Sequence, residues 1–174
     1  MGTYEIQFSG LSEGEHEFQF EADHKFFDCF EESEITTGNV QVKLLLLKKV
    51  QMLELQFKLS GSVEVQCDRC LEALEVPISN TSMLYVKFGE TTEELAEDLI
   101  VLSDKAHKIN IAQYIYEFIQ LSLPYKKVHP KDPSGKSYCN PEMLNRLIKF
   151  SANHPEDDID PRWKELKEVL NKKK

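Results

Sequence analysis

Between Val40 and Phe88 the chain repeats one pattern, an apolar residue followed by a polar one. Val40, Val42, Leu44 and Leu46 begin it. Leu53, Leu55, Phe57 and Leu59 continue it, followed by Val63 and Val65, then Leu74, Val76 and Ile78. A strand turns successive side chains to opposite faces, so a period of two gathers these residues on one buried side of a sheet and leaves the other side wet. A helix, with its period of about 3.6, would scatter them around its axis. Tyr4, Ile6 and Phe8 show the same alternation, as do Phe18, Phe20 and Ala22. Near the end, either Met83 and Tyr85 or Leu84, Val86 and Phe88 face inward. Thr37-Gly38-Asn39 and Ser60-Gly61 supply turn chemistry between runs. Short connections between successive strands imply a meander or a partly closed barrel rather than βαβ units.

The pattern then turns helical. Thr91-Thr92-Glu93-Glu94 predicts a short acidic helix through Asp98, and Leu99–Leu102 a returning strand. Asn110 can cap a helix reaching about Ser122, with Ile111, Ile115, Phe118 and Ile119 on one stripe, and Pro124 ends it. Asn140-Pro141-Glu142 and Asp160-Pro161-Arg162 each set a capping side chain before a proline at the first helical position. Leu144, Leu147 and Ile148 would face the core in the first of these helices. Trp163, Leu166, Val169 and Leu170 would do so in the second, with Trp163 against the strands. The expected fold is α+β: an N-terminal antiparallel β-sheet or partly closed barrel with C-terminal helices packed on it, in a single domain over residues 1–174.

With 41% hydrophobic and 29% charged residues in 174, the chain can bury one solid core. No apolar run exceeds four residues, Leu44–Leu47 being one, so no membrane span is expected. The opening MGTYEIQFSG lacks the basic and apolar regions of a signal peptide, and four scattered cysteines suit a reducing cytoplasm. The net charge of −9 argues against a nucleic-acid binder, but its distribution does not. Residues 1–104, the mostly β part, carry 7 Lys/Arg against 21 Asp/Glu. Residues 105–174, the mostly helical part, carry 14 against 9. One acidic face and one basic face follow.

The segment GSVEVQCDRCL runs an alternating strand into Cys67 and Cys70, and LEALEVPIS begins the next strand. Two cysteines two residues apart can share a metal ion or close a disulfide. At a hairpin tip rather than at a helix start, they lack the helix N-terminus that lowers thiol pKa in redox proteins. A closed zinc site needs four ligands. His129 and Cys139, in VHPKDPSGKSYCN, complete the set, although ten residues between them is wider than finger spacing. Two readings stay open: a zinc held by Cys67, Cys70, His129 and Cys139, or reduced thiols in a tight turn with Cys139 elsewhere.

The loop from Leu123 to Cys139 carries Lys126, Lys127, Lys131 and Lys136 together with Tyr125 and Tyr138. Lysines contact phosphates and tyrosines stack on unpaired bases, so these six are the candidate RNA-binding residues; a plain connector would look similar. No P-loop, GxGxxG, GxSxG or HExxH occurs, and no acid, base and nucleophile converge, so no enzyme is expected.

CDRCLE at Cys67–Glu72, HKFFDCFEESEI before a long hairpin, an apolar helix ending in Leu123-Pro124, and DPRWKELKEVL near the end together resemble the YceD family over nearly the whole chain. The resemblance implies a non-enzymatic factor in the accumulation of large-subunit ribosomal RNA. Its partners would be that rRNA or a pre-ribosomal particle, with the Lys126, Lys127, Lys131 and Lys136 loop on rRNA phosphates. The acidic part would face a basic ribosomal protein or hold intervening RNA away; in the rival reading, a protein-only adaptor, contact with a basic partner is the whole function. A CxxC redox protein is a third option. Many members carry several closely spaced thiols after the Leu-Pro. Here only Cys139 remains, with His129 nearby, so the site is either Cys-Cys-His-Cys or lost.

Overall fold

The computed structural model describes residues 4–31 and 33–151. The helix expected after Asp160 and the packing of Trp163 lie outside them. Eight strands and three helices follow in chain order among the described residues: β1 (Glu5–Ile6), β2 (Gly14–Ala22), α1 (His24–Phe27), β3 (Ile35–Lys48), β4 (Met52–Gln66), β5 (Ala73–Gly89), β6 (Glu93–Ala96), β7 (Leu99–Ser103), β8 (Ile109–Asn110), α2 (Ala112–Leu121) and α3 (Pro141–Phe150).

Six strands form one sheet in the order β2-β3-β4-β5-β7-β6, and β1 pairs with β8 beside it. The sheet is open, with β2 and β6 at its edges. Among the described strands, only β5 and β7 run parallel. The alternation works as the sequence implies. Leu53, Leu55, Phe57, Leu59, Val63 and Val65 of β4 are buried, flanked by Val40 to Leu46 of β3 and by Leu74, Val76, Ile78, Leu84 and Val86 of β5. Leu84 and Val86, not Met83 and Tyr85, are the buried pair.

The expected turns at Thr37-Gly38-Asn39 and Ser60-Gly61 lie inside β3 and β4, which pair continuously through them. A Cβ on Gly61 would stand 2.1 Å from the Asn39 carbonyl oxygen and 2.8 Å from the Val40 Cα. Here glycine marks a close approach of two backbones within a long ladder, the other common meaning of glycine in a strand. The acidic helix expected through Asp98 is instead strand β6, with Glu93 opposite Val101 and Glu94 opposite Ile100 of β7. A helix this short is costly to nucleate, whereas β7 supplies backbone partners at once.

α2 covers the buried face with Ile115, Phe118 and Ile119, and Phe118 meets Phe57 at 5.1 Å between ring centroids. Asn110, expected to cap this helix, instead ends β8, and the N-cap is Ile111, which has no capping side chain; Asn110 Oδ1 still accepts from the Ala112 N–H (2.9 Å). α3 is capped by Asn140, whose Oδ1 accepts from the Glu142 N–H (2.9 Å). Its core contacts stop at Met143 and Leu144. Leu147 and Ile148, expected in the core, are 47% and 69% exposed. The helix meets the sheet only at its first turns, so its later apolar residues stay in solvent. No described helix is long and apolar enough to cross a membrane.

Candidate metal centre

The β4–β5 connection is six residues, Cys67–Glu72, folded back on itself. The Leu71 N–H donates to the Cys67 carbonyl and the Cys67 N–H to the Glu72 carbonyl, both at 2.9 Å. Leu71 has φ 60°, a left-handed conformation that β-carbon-bearing residues rarely adopt. The tightness turns both Cys67 and Cys70 inward, where they are buried.

The second half of the site comes from the loop after α2, which is ordered as a small hairpin. The Tyr138 N–H donates to the Pro130 carbonyl (3.1 Å), the Asp132 N–H to the Lys136 carbonyl (2.8 Å), and Lys131 bridges Ser137. At the tip Asp132 accepts from the Ser134 hydroxyl (2.6 Å) and the Lys136 N–H (2.8 Å), while Gly135 takes φ 86°. Those hydrogen bonds hold the Asp132 carboxyl below its ordinary pKa. The wide spacing between His129 and Cys139 is thereby explained. The two residues sit across the base of a hairpin, so ten positions along the chain become neighbours in space.

Cys67, Cys70, His129 and Cys139 place one ligand atom each within 4.8 Å of all the others. Cys67 Sγ lies 3.8 Å from Cys139 Sγ, and Cys70 Sγ lies 3.4 Å from His129 Nδ1. For a tetrahedral zinc with the usual bond lengths, the S···S edge is about 3.8 Å and the S···N edge about 3.6 Å. The His129 ring is held in a ligand's orientation, with Nε2 3.0 Å from the Ala73 carbonyl oxygen. A proton on Nε2 donated there leaves the Nδ1 lone pair facing the sulfurs, the arrangement that metal-binding histidines use. Burial alone would suit cysteines, which behave as small apolar residues, but it does not account for an imidazole oriented into three thiols.

The thiols also divide the negative charge unevenly. Burial pushes the Cys67 thiol up, but the backbone N–H groups of Cys70, Arg69 and His129 and the His129 ring outweigh it and leave Cys67 below an ordinary thiol. Burial holds Cys139 above one, and its neighbours Cys67 and Cys70 add to that. A second thiolate there calls for a positive charge at the centre, which a divalent cation supplies.

Three contacts that sequence reasoning does not single out lock the halves together. The Asp68 N–H donates to the Lys127 carbonyl (2.7 Å) and the Lys127 N–H to Asp68 Oδ2 (2.6 Å). Asn140 Nδ2 donates to Glu72 Oε1 (2.5 Å). The polar residues inside CDRCLE, Asp68 and Glu72, were the available signal. Of the candidate RNA-binding residues, Lys126, Lys131, Lys136, Tyr125 and Tyr138 are exposed, Tyr125 fully at 104%. Lys127 differs. Its ammonium sits 2.6 Å from Glu34 Oε2, and this partner raises its pKa.

The family model described as large ribosomal RNA subunit accumulation protein YceD matches residues 55–170, which include Cys67, Cys70, His129 and Cys139. The chain belongs to the YceD family. No curated protein and no solved structure matches it. The YceD description connects the chain with the accumulation of large-subunit ribosomal RNA. The matched span starts inside β4, leaving β1 to β3 outside it.

Proposed function

We propose that this YceD-family chain is a non-enzymatic factor in large ribosomal subunit biogenesis, and that its loop from Leu123 to Cys139, with the hairpin between Pro130 and Tyr138, contacts rRNA in a pre-ribosomal particle. The observation that carries this reading is the convergence of Cys67, Cys70, His129 and Cys139, which anchors the hairpin's base to the sheet. An anchored loop presents its cations in fixed geometry. Lys126, Lys131 and Lys136 supply charge for phosphates, and Tyr125 and Tyr138 supply rings on which unpaired bases can stack. Lys127 is assigned to the scaffold, through Glu34 and Asp68. Zinc suits the donor set and would act structurally, joining two segments without an open coordination position.

The test is a salt titration of binding to large-subunit rRNA fragments. Each phosphate contact on a single strand contributes about 0.7 to the slope of log K against log salt. The triple substitution Lys126→Ala, Lys131→Ala and Lys136→Ala should weaken binding and flatten the slope by about 2 units. Unchanged affinity and slope would reduce the hairpin to a connector.

A further inference from the structure

The β2 edge of the sheet has no assigned role. β2 is hydrogen-bonded to β3 on one side, and on its other side no described strand pairs with it. In an antiparallel ladder, alternate residues turn both backbone groups to the same side. The Glu21 carbonyl accepts from the Tyr4 hydroxyl (2.7 Å), which marks Glu21 as facing away from β3. By the same alternation Glu15, Glu17 and Gln19 present their N–H and C=O groups along that outer edge.

Beside the edge runs a row of aromatic rings. Phe18 and Phe20 lie 6.5 Å apart, Phe20 and Tyr4 6.1 Å, Tyr4 and Phe26 4.9 Å, Phe26 and Phe30 5.1 Å. Phe18, Phe20, Tyr4 and Phe30 are only half-buried. Phe20, Tyr4 and Phe30 border a groove of about 590 Å³, whose charged lining is Glu21, Asp23 and Lys25. Charge selects what could enter. From Gly10 to Lys25 the chain has Glu13, Glu15, Glu17, Glu21 and Asp23 against a single cation, Lys25, at the groove. A second copy adding by its own β2 would set these carboxylates against each other, which disfavours it.

We propose that the β2 edge and its aromatic groove receive an extended basic peptide segment of a partner protein, added as a seventh strand. Backbone hydrogen bonds to Glu15, Glu17 and Gln19 hold it. Its alternate side chains lie over Phe18, Phe20 and Tyr4, where arginine can stack, and its remaining cations meet the glutamates. This surface is separate from the lysine hairpin, so either can fail without the other.

The probe is a fluorescent ten-residue peptide alternating arginine with valine, titrated into the full chain. Two companions accompany it: the same peptide N-methylated at alternate backbone amides, and a glutamate-for-arginine version. The parent should bind. The N-methylated peptide should lose at least about tenfold in affinity, the order expected from three missing backbone hydrogen bonds. The acidic version should not bind. Hydrogen exchange at Glu15, Glu17 and Gln19 should slow when the parent is bound. Gln19→Pro, which removes one edge donor at a position where proline is tolerated, should reproduce the loss while leaving rRNA-fragment binding unchanged. Equal binding of parent and N-methylated peptides, or exchange unchanged at those three amides in the wild type, would overturn the strand-addition proposal. So would a self-associated dimer that slows exchange at the same amides and does not yield to the peptide.

Discussion

The sheet and the hairpin arm that leans on it are held by different physics. β3, β4 and β5 bury row upon row of aliphatic and aromatic side chains, and their order follows from area removed from water. The stretch from Pro124 to Phe150 has one fully buried residue, Cys139, and α3 has none. It is placed by a few polar contacts, with Cys67, Cys70, His129 and Cys139 gathered at its base. One region therefore has many small, interchangeable contributions, and the other has a few that cannot be exchanged.

The strongest way to break the sheet is to hollow it. Phe57 is fully buried at the centre of β4 and packs on Phe118. Phe57→Ala should cost about 3–5 kcal/mol, read by denaturant unfolding, and sheet and arm should be lost together. Loss of the sheet with the arm retained would mean that the arm does not depend on the sheet.

A more selective effect is expected from the ligands. Protein prepared without chelator should contain one zinc per chain by elemental analysis, and Cys139→Ser should abolish that stoichiometry. Hydrogen exchange should then accelerate at Asp132, Lys136 and Tyr138, whose amides close the hairpin, while the amides of β4 and β5 keep their protection. Zinc-free wild-type protein with those three amides still protected would show that polar contacts alone hold the arm.

The smallest effect sharpens the contrast at the junction. Leu71 holds a left-handed conformation at φ 60°, which costs a residue with a side chain about 1–2 kcal/mol. Glycine relieves that but loses roughly 0.5–1 kcal/mol through the freer unfolded chain. Leu71→Gly should therefore leave the fold intact with a net gain of about 0.5 kcal/mol, with unchanged metal content. A clear loss would show that the exposed Leu71 side chain has a contact beyond the turn.

The same contrast explains what the sequence made legible. Burial with a period of two is written residue by residue, and it located the inward faces of β3, β4 and β5. It misplaced Gly38 and Gly61, because a turn and a backbone close approach use the same residue. It read Glu93–Ala96 as helix, because local propensity cannot see β7 as a partner. Leu147 and Ile148 were assigned to a core that α3 leaves after its first turns. At the metal centre, Cys67 and Cys70 were plain from their spacing. His129 and Cys139 remained one of two open readings, because their nearness depends on a hairpin whose pairings, Pro130 with Tyr138 and Asp132 with Lys136, have no apolar pattern to announce them.

A zinc joining Cys67 and Cys70 to His129 and Cys139 would set an order of events during folding. Cys67 and Cys70 belong to one tight hairpin, so they come together with the local pairing of β4 and β5. Cys70 and His129 are 59 residues apart in sequence. Joining them closes a loop of that size, and a permanent crosslink of the same span removes roughly 4 kcal/mol of unfolded-chain entropy. A zinc joining them would be a crosslink that forms last and opens first. The sheet could then stand complete on a newly made chain while the lysine hairpin waits for its ion. The ordering of that hairpin would then follow the supply of metal, without any change in the amount of protein.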